Sequence, residues 1–492
     1  MANLRRWSSS ASGNSSVAGG ANTINFAEGQ TPGSVNNSAR EMMAQVRSIY
    51  TPAEWGWVEH SATASVASQT SFKISGDQTT NWTAGRRWRL KSGSTTRYGS
   101  VVSSSYTAET TITVTVDSGS LSASHSLAAL SAIDGSSNQL PGAQQSFLRN
   151  RIINGDMRID QRNAGGAVIP TTSTFTLDRW QFQATQASKM SIQQTTSVVN
   201  GPPGFPNYMS IQTTTAFSVA AGDYFAMRTA IEGQNMSDYA WGTANAKTVT
   251  LSFYAWASVS GTYGGAISNN ALNRSYPFSY TVSAPATWQL ITVTIPGDTT
   301  GTWTVDNAVG LNLYFGLGSG ATFAGTAGAW AAANYVTSTG ATSVVGTLSR
   351  ALLITGVQLE AGSAATPYER RQYGTELALC QRYYEKSYDL ATVPGTAAAA
   401  NPVLFFVGGF ASASLSGGCA VSFAARKRTN PTVTLYSLTT GTSGKVRDAQ
   451  NAADVNGTVN NSGDGGFSWF ATTSAATTSI NFNVHWTASS EL

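Results

Sequence analysis

Hydrophobic and polar residues alternate along most of this chain in short runs, each closed by residues that favour turns. Residues 111–116 read TITVTV, a strict period of two that directs Ile112, Val114 and Val116 towards one face. Residues 147–366 contain many such runs, among them YFAMRTAIE, TVTLSFYAWASV, WQLITVTIPG, LNLYFGLG and ALLITGVQLE, with no helical stretch between them. Regularly spaced short strands of this kind predict a two-sheet β-sandwich.

A helical period replaces the alternation near the N-terminus. Asn37 or Ser38 is the expected N-cap, and Glu41 follows Ser38 at the spacing of a capping box. The apolar stripe of this predicted helix consists of Met42, Met43, Val46, Ile49 and Tyr50. A helix that ends near Pro52 is too short to be stable alone in water. Its stripe must therefore pack on its own chain, on a partner protein or on copies of itself.

A second helical period follows Pro367, after the strand-like run at residues 352–359. Leu377, Cys380 and Tyr384 recur three or four residues apart, which predicts a helix over residues 373–388. The sequence thus predicts that a sandwich ends here and that a helix leads into a further domain. We expect the side with these three residues to pack against its own copies or the adjoining sandwich.

These changes of pattern divide the chain into six segments. They are an N-terminal arm and helix (1–52), a small β module (53–130), a linker (131–146), a large sandwich (147–366), a connecting helix (367–387) and a C-terminal β domain (388–492). The predicted fold class is therefore mainly β.

Composition narrows the classes of function. Charged residues make up 11% of the chain, against roughly 25% in ordinary soluble proteins, while 13 Trp, 18 Tyr and 19 Phe argue against disorder. A net charge of +4 gives no electrostatic reason to expect a nucleic-acid partner. The N-terminus lacks the apolar core of a signal peptide, and no apolar run is long enough to insert into a membrane. Composition alone does not exclude a secreted β-sandwich protein.

The chain contains no recognisable catalytic or metal-binding motif. His60, His125 and His485 lie in separate modules, and Cys380 and Cys419 lack metal-ligand spacing. We therefore predict no catalytic residue, no metal ligand and no cofactor, and expect that the protein is not an enzyme.

Three carboxylates near the start of the sandwich are the best candidates for acid catalysis, because glycosidases use two acids about 5–10 Å apart. Asp156 follows Asn-Gly and fits a tight turn, whereas Asp178 precedes Arg179 and fits a structural charge pair at a strand start. Asp160 lies between them. We expect structural roles for these residues. Binding of a calcium ion by their oxygens stays open as an alternative.

Aromatic residues offer a second kind of candidate, because sugar rings stack on Trp and Tyr. Tyr263 in SGTYGG and Trp303 in GTW have loop-like neighbours and are the candidates for glycan contact. The other aromatic residues considered in the sandwich alternate with polar residues, so we expect them in the core: Trp180, Tyr254, Trp256, Tyr276, Tyr280 and Trp288.

Several motifs together resemble those of bacteriophage tail-fibre and related virion proteins. The order INGDM, DRW, LSFYAWASVSG, ITVTIPGDTTGTW, LYFGLG and VQLEAG resembles their jelly-roll, carbohydrate-binding-module-like domain. The hinge VQLEAGSAATPYERRQYGTELALCQRYYEKS resembles a signature that many of them share. AEGQTPGSVNNSAREMMAQVR resembles their N-terminal attachment region, SGDQTTNWTAGRRWRLKSG a small recurrent module, and ARKRTNPTVTLYS with VHWTASSEL their C-terminal β domain.

The resemblance implies a modular fibre with a small N-terminal β module, a central jelly-roll β-sandwich and a C-terminal β domain, joined by short helices. It implies a virion structural protein of the tail-fibre type: a homotrimer, assembled in the host cytoplasm and exposed on the particle surface. Its N-terminal helix would attach to other tail or adaptor proteins, and its β modules would adhere to the host surface, with surface polysaccharide a candidate ligand. A polysaccharide-degrading tailspike and a head-fibre or collar component stay open as alternatives.

Overall fold

A computed structural model describes residues 149–492 throughout and the preceding part of the chain in pieces. The pieces are 16–17, 24–25, 57–60, 127–131, and 64–121 apart from 80, 83, 93, 94, 118 and 119. The predicted N-terminal stripe (Met42, Met43, Val46, Ile49 and Tyr50) and all but the first residue of the predicted linker lie outside the described residues. The chain forms two compact units, Met1–Gln145 and Ser146–Leu492.

The first unit contains an antiparallel sheet with the strand order β3-β9-β6-β7-β8-β5-β4. Its strands, with an isolated N-terminal pair, are β1 (Ser16–Val17), β2 (Ile24–Asn25), β3 (Trp57–His60), β4 (Ser65–Ser68), β5 (Ser71–Ser75), β6 (Arg87–Ser92), β7 (Thr95–Tyr106), β8 (Glu109–Val116) and β9 (Leu127–Ser131). Ile112 and Val114 are buried on β8, with Val116 packed beside them, as the strict alternation predicts.

The second unit begins with a sandwich of two antiparallel sheets, and the predicted mainly β class is confirmed. Its strands are β10 (Ser173–Leu177), β11 (Trp180–Ala184), β12 (Met190–Thr195), β13 (Tyr208–Thr213), β14 (Tyr224–Glu232), β15 (Val249–Ala257), β16 (Gly261–Ser268), β17 (Ser275–Val282), β18 (Gln289–Ile295), β19 (Val309–Ser319), β20 (Ala324–Gly325), β21 (Thr337–Ser338) and β22 (Ala351–Ala361). Single 3₁₀ turns occur at Gly233–Asn235, Ser237–Tyr239 and Ala321–Phe323.

The two sheets share one core. The six-stranded sheet has the order β10-β11-β14-β19-β16-β17, and the five-stranded sheet has the order β12-β13-β22-β15-β18; β20 and β21 form a separate parallel pair. Phe253 of β15 meets Phe315 of β19 at a ring distance of 5.0 Å, which joins the inner faces. Because successive side chains alternate across a strand, neighbours of these core residues point outwards.

Tyr263 lies in the core rather than in a loop. Its side chain is 0% exposed, on a strand (β16) that the glycine-rich run SGTYGG conceals from sequence reasoning. A Cβ on Gly264 would collide with Thr337 and Ser338, and one on Gly265 with the Tyr314 backbone. These glycines therefore reflect close packing and not a turn. The expectation that Tyr263 has loop-like surroundings is wrong, and its ring has no free face for a glycan.

Trp303 is also a packing residue, with 8% of its surface exposed. Its indole meets Trp241 at 4.7 Å and Trp330 at 5.6 Å between ring centroids. Its Nε1 donates a hydrogen bond to Asp298 at 3.1 Å. Edge-to-face packing and a satisfied N–H hold the ring inside the fold. The expectation of an available Trp303 ring is therefore wrong as well.

The rest of the second unit is a short helix followed by a second β assembly. Helix α1 is Tyr373–Gln381, and the strands are β23 (Tyr384–Lys386), β24 (Val403–Ala413), β25 (Ser416–Gly417), β26 (Ala420–Ser422), β27 (Thr432–Ser437), β28 (Lys445–Asp448), β29 (Ala453–Gly463), β30 (Gly466–Thr472) and β31 (Thr477–Ser489). The long strand β31 pairs with β23, β24, β27 and β28, and β30 pairs with β25, β26 and β29. The described residues include no helix long and apolar enough to cross a membrane.

The predicted helix over 373–388 is too long. Helix α1 ends at Gln381, and Tyr384 pairs with Ser489 in the ladder between β23 and β31. Pairing with β31 satisfies the backbone N–H and C=O groups of β23. This tertiary contact outweighs the preference for a helix that the spacing of apolar residues indicates. Leu377 is partly buried, whereas Cys380 and Tyr384 are 0% and 7% exposed within one chain. These two side chains already pack inside their own subunit.

Candidate functional site

A cleft of about 240 Å³ lies on the outer face of the five-stranded sheet, over β12, β13, β22 and β15. Its polar lining residues are Ser191, Gln193, Ser210, Gln212, Ser258 and Ser349. Its apolar lining residues are Val198, Trp256, Ala351 and Leu353. The volume falls just below the range of about 300–1,000 Å³ that small-molecule sites occupy, and the combination of an apolar floor with a few polar groups is typical of them.

Strand register arranges the floor of the cleft in two rows. In the first row, Gln193 lies opposite Ser210, Ser210 opposite Leu353, and Leu353 opposite Trp256. The second row contains Ser191, Gln212 and Ala351. The four strands span about 14 Å, and the rows are about 7 Å apart along the strands. Because these residues stand on paired strands, the ladder fixes the backbone positions from which their side chains project.

Trp256 is the aromatic residue of the cleft. Leu251 and Phe253 of β15 are buried in the core, so the alternation turns Tyr254 and Trp256 to the outer face. The Tyr254 ring is covered by Phe205, at 5.2 Å between ring centroids. Trp256 is only partly buried and lines the cleft. Sequence reasoning assigned it to the core, although the parity of β15 contains the signal that separates Trp256 from Phe253.

The polar side chains of the cleft have unused hydrogen-bonding capacity. Within residues 149–492, the side chains of Ser191, Gln193, Ser210 and Gln212 make no hydrogen bond to the protein, nor does the indole N–H of Trp256. Each Gln amide offers two donors and an acceptor, and each hydroxyl offers both roles. The cleft can therefore bind a ligand rich in hydroxyl groups without first breaking bonds of its own.

The cleft is also uncharged. None of its ten lining residues has an ionisable side chain. An electrostatic field from the cleft itself therefore contributes little to attracting a ligand, and recognition depends on contact and hydrogen bonding.

Asp178 is buried away from this cleft. Its carboxylate accepts hydrogen bonds from the backbone N–H (2.6 Å) and side-chain Nε2 (2.7 Å) of Gln161. Burial raises the pKa of Asp178 to about 6. Arg179 does not pair with it but with Glu491. The predicted charge pair of Asp178 with its neighbour is therefore wrong, although a structural role for Asp178 fits its contacts.

The two other carboxylates have partners of their own. Asp156 lies in a turn, as expected from Asn-Gly-Asp, and its Oδ2 is 2.6 Å from Nε of Arg158. Asp160 accepts hydrogen bonds from the backbone N–H groups of Asn163 and Gly165, both at 2.9 Å. Burial raises the pKa of both carboxyl groups. In the part of the chain that the structure describes, no three His, Cys, Asp or Glu side chains lie close enough together to hold a metal ion.

A buried ionic junction joins the sandwich to the C-terminal β assembly. Glu491, near the C-terminus of the chain, contacts both Arg179 and Arg162, the latter at 2.8 Å. Arg382, just after α1, pairs with Glu232 of β14 at 2.6 Å. Every carboxylate in this junction accepts from a guanidinium, so the junction is a structural feature rather than an open site.

The comparisons with known proteins identify fold neighbours only. No protein-family model matches the sequence, and no curated protein matches it. Among solved structures, the enzymatically active domain of tailspike protein 4 of bacteriophage CBA120 is 10% identical with a TM-score of 0.24, over 44% of this chain and 22% of that one. TmCBM61, solved with β-1,4-galactotriose, is 7% identical with a TM-score of 0.23, over 44% of this chain and 99% of that one.

A third neighbour is the family 11 carbohydrate-binding module of the cellulase Lic26A-Cel5E of Clostridium thermocellum. It is 13% identical with a TM-score of 0.22, over 41% of this chain and 99% of that one. A phage tailspike and carbohydrate-binding modules are thus among the structures similar to this chain.

Proposed function

We propose that this chain is a bacteriophage virion structural protein of the tail-fibre type, and that the cleft beside Trp256 binds a glycan of the host surface. The observation that carries glycan binding is the pairing of a partly exposed indole with four polar side chains that have no partner in residues 149–492. The virion role is supported by the ordered motifs that resemble tail-fibre proteins over nearly all of residues 147–366 and at both ends of the chain.

Binding would combine stacking with hydrogen bonding. The apolar C–H face of one sugar ring stacks on Trp256, while the hydroxyl groups of a neighbouring ring in the same glycan exchange hydrogen bonds with Gln193 and Gln212. One small cleft gives weak affinity, but several copies per particle convert weak contacts into avidity. Adhesion of whole particles would thus exceed the affinity of the isolated chain.

The test is binding of the purified chain to surface polysaccharide of its host, measured for wild type and Trp256→Ala. We expect at least about tenfold weaker binding for the variant, since an aromatic anchor is lost. Leu290→Ala is the matched control, because Leu290 is 59% exposed on β18 of the same sheet and does not line the cleft. Equal binding by wild type and Trp256→Ala would refute the role of the cleft.

We also propose that the chain is a homotrimer and that copies contact each other through the outer face of β24. Leu404 and Phe406 are 65% and 68% exposed there, and β24 has no charged side chain. In the described residues β24 pairs with β31 alone, so one of its edges is unpaired. Uncharged, apolar edge strands are normally covered by another surface. A second copy of the same face is also apolar and uncharged, so it can cover β24 without burying a charge.

Sedimentation tests the homotrimer. Wild type should sediment as a trimer, and replacing Leu404 and Phe406 together by Ser should shift it towards the monomer. Phe470→Ser, at a site 41% exposed on β30, is the control. A stable wild-type monomer would contradict the proposal.

We further propose that the chain binds glycans without cleaving them. Asp156, Asp160 and Asp178 each have a partner of their own, which supports structural roles. The measurement is the release of new reducing ends when the chain is incubated with host polysaccharide. No release is expected, whereas steady release would favour the polysaccharide-degrading tailspike instead.

A further inference from the structure

We infer that the cleft beside Trp256 selects uncharged sugars and rejects glycans whose contacting residue is a uronic or sialic acid. This inference rests on the proposed glycan binding and adds the chemical class of the ligand. It starts from the side chains that surround the cleft.

The charge of the lining residues disfavours an acidic ligand. Among the residues that the structure describes, no Lys, Arg or His lines the cleft, so a carboxylate bound there would have no described countercharge in contact with it. Burying an ionised carboxylate without a paired charge costs far more free energy than burying a hydroxyl that is hydrogen-bonded. The same sugar ring should therefore bind more weakly when its hydroxymethyl group is oxidised to a carboxylate.

The balance of hydrogen-bond donors and acceptors in the cleft also favours hydroxyl groups. Gln193 and Gln212 each present amide N–H donors and a carbonyl acceptor, and Ser191 and Ser210 each present a hydroxyl. A sugar hydroxyl also donates and accepts, so it can match either role at every position. A carboxylate only accepts, so replacing a hydroxymethyl group by a carboxylate removes one donor and can leave one amide carbonyl without a partner.

The arrangement of the lining residues sets the direction in which the ligand lies. The free amides stand on β12 and β13 at one end of the cleft, and Trp256 stands on β15 at the other. Leu353 and Ala351 of β22 lie between the two ends and offer no polar side-chain atom. The ligand therefore presents hydroxyl groups to the amide end and a C–H face to Trp256, across the strands rather than along them.

The experiment compares a neutral hexose oligosaccharide with a hexuronic-acid oligosaccharide of the same length and linkage, by calorimetry on the full chain. We expect the acid to bind at least about tenfold more weakly. Equal or tighter binding of the acid would overturn the selectivity while leaving glycan binding intact. If neither ligand binds wild type or Trp256→Ala, and host polysaccharide does not bind either, glycan binding itself fails.

A matched pair of variants tests the cause. Gln212 is exposed at the floor of the cleft, so its replacement should not disturb folding. Gln212→Arg supplies the missing countercharge and should bring the affinity for the acid to within about threefold of that for the neutral sugar. Gln212→Glu adds a like charge and should weaken the acid further. Unchanged discrimination in both variants would refute the electrostatic explanation.

Discussion

Glu491→Gln removes one negative charge from the ionic junction while keeping the shape of the side chain. In the wild type, Arg179 and Glu491 have side chains only 2% and 6% exposed. Arg162, 15% exposed, contacts the other carboxylate oxygen at 2.8 Å. The variant therefore leaves two guanidinium groups without their shared counterion, one of them fully inside the protein.

The expected cost follows from that burial. Removing one partner of a buried ion pair costs about 3–5 kcal/mol, because the remaining charge stays buried and uncompensated. Two contacts of Arg179 survive: a hydrogen bond to the Ala230 carbonyl oxygen at 2.6 Å and the Tyr383 ring at 3.6 Å. These contacts lower the cost, so we expect a loss of about 3 kcal/mol in the free energy of unfolding.

The assay is urea denaturation followed by tryptophan fluorescence, with Asp464→Asn as the control. Asp464 and its partner Arg426 are 55% and 76% exposed, and such surface pairs contribute about 0–1 kcal/mol. The midpoint should fall clearly for Glu491→Gln and hardly move for Asp464→Asn. If the urea midpoint shifted equally little for both variants, the buried guanidinium groups would not need Glu491 as a counterion, and the prediction would be refuted.

Three further predictions follow from single residues. Gly265→Ala should destabilise strongly, since the new Cβ meets the backbone of a neighbouring strand, whereas Gly463→Ala, in open space, should be nearly neutral in the same denaturation assay. Burial raises the pKa of Asp178 to about 6, so folding takes up a proton and the free energy of unfolding should fall as pH rises from about 4 to about 6. Asp178→Asn should flatten that part of the curve. A thiol reagent should label Cys419 slowly in the native protein and Cys380 only after unfolding, because Cys380 is 0% exposed.

Several strands of the sandwich were predictable because a shared core places apolar residues at alternate positions along them. The run YFAMRTAIE coincides with β14, Tyr224–Glu232, and WQLITVTIPG contains β18, Gln289–Ile295. Other strands escaped prediction, among them β16 and β29. The sequence of β16 resembles that of a turn because it contains glycines, which the close approach of neighbouring atoms requires. Strand β29 (ADVNGTVNNSG) has too few apolar residues to show an alternating pattern.

The cleft was beyond sequence reasoning for a different reason. Parity alone turns Trp256 outwards, but its opposite neighbour Leu353 is nearly a hundred positions away, and Leu353 in turn lies opposite Ser210. These pairings depend on β22 inserting between β13 and β15, a long-range arrangement that no local pattern records. Sequence reasoning therefore selected aromatic residues by their local loop composition, and Tyr263 and Trp303 proved to be core residues.

The distribution of charge links the fold to the proposed adhesion. Only 11% of the residues are charged, and some of them hold the C-terminal assembly to the sandwich: the buried Glu491 contacts the buried Arg179, and the buried Glu232 contacts the partly exposed Arg382. The ten described residues that line the cleft beside Trp256 include none with an ionisable side chain. Recognition there depends on fit and hydrogen bonding, so salt should screen very little of it. We therefore expect glycan binding by the wild type to be unchanged between low and high ionic strength, whereas the affinity that Gln212→Arg gains for an acidic sugar should disappear as salt is added.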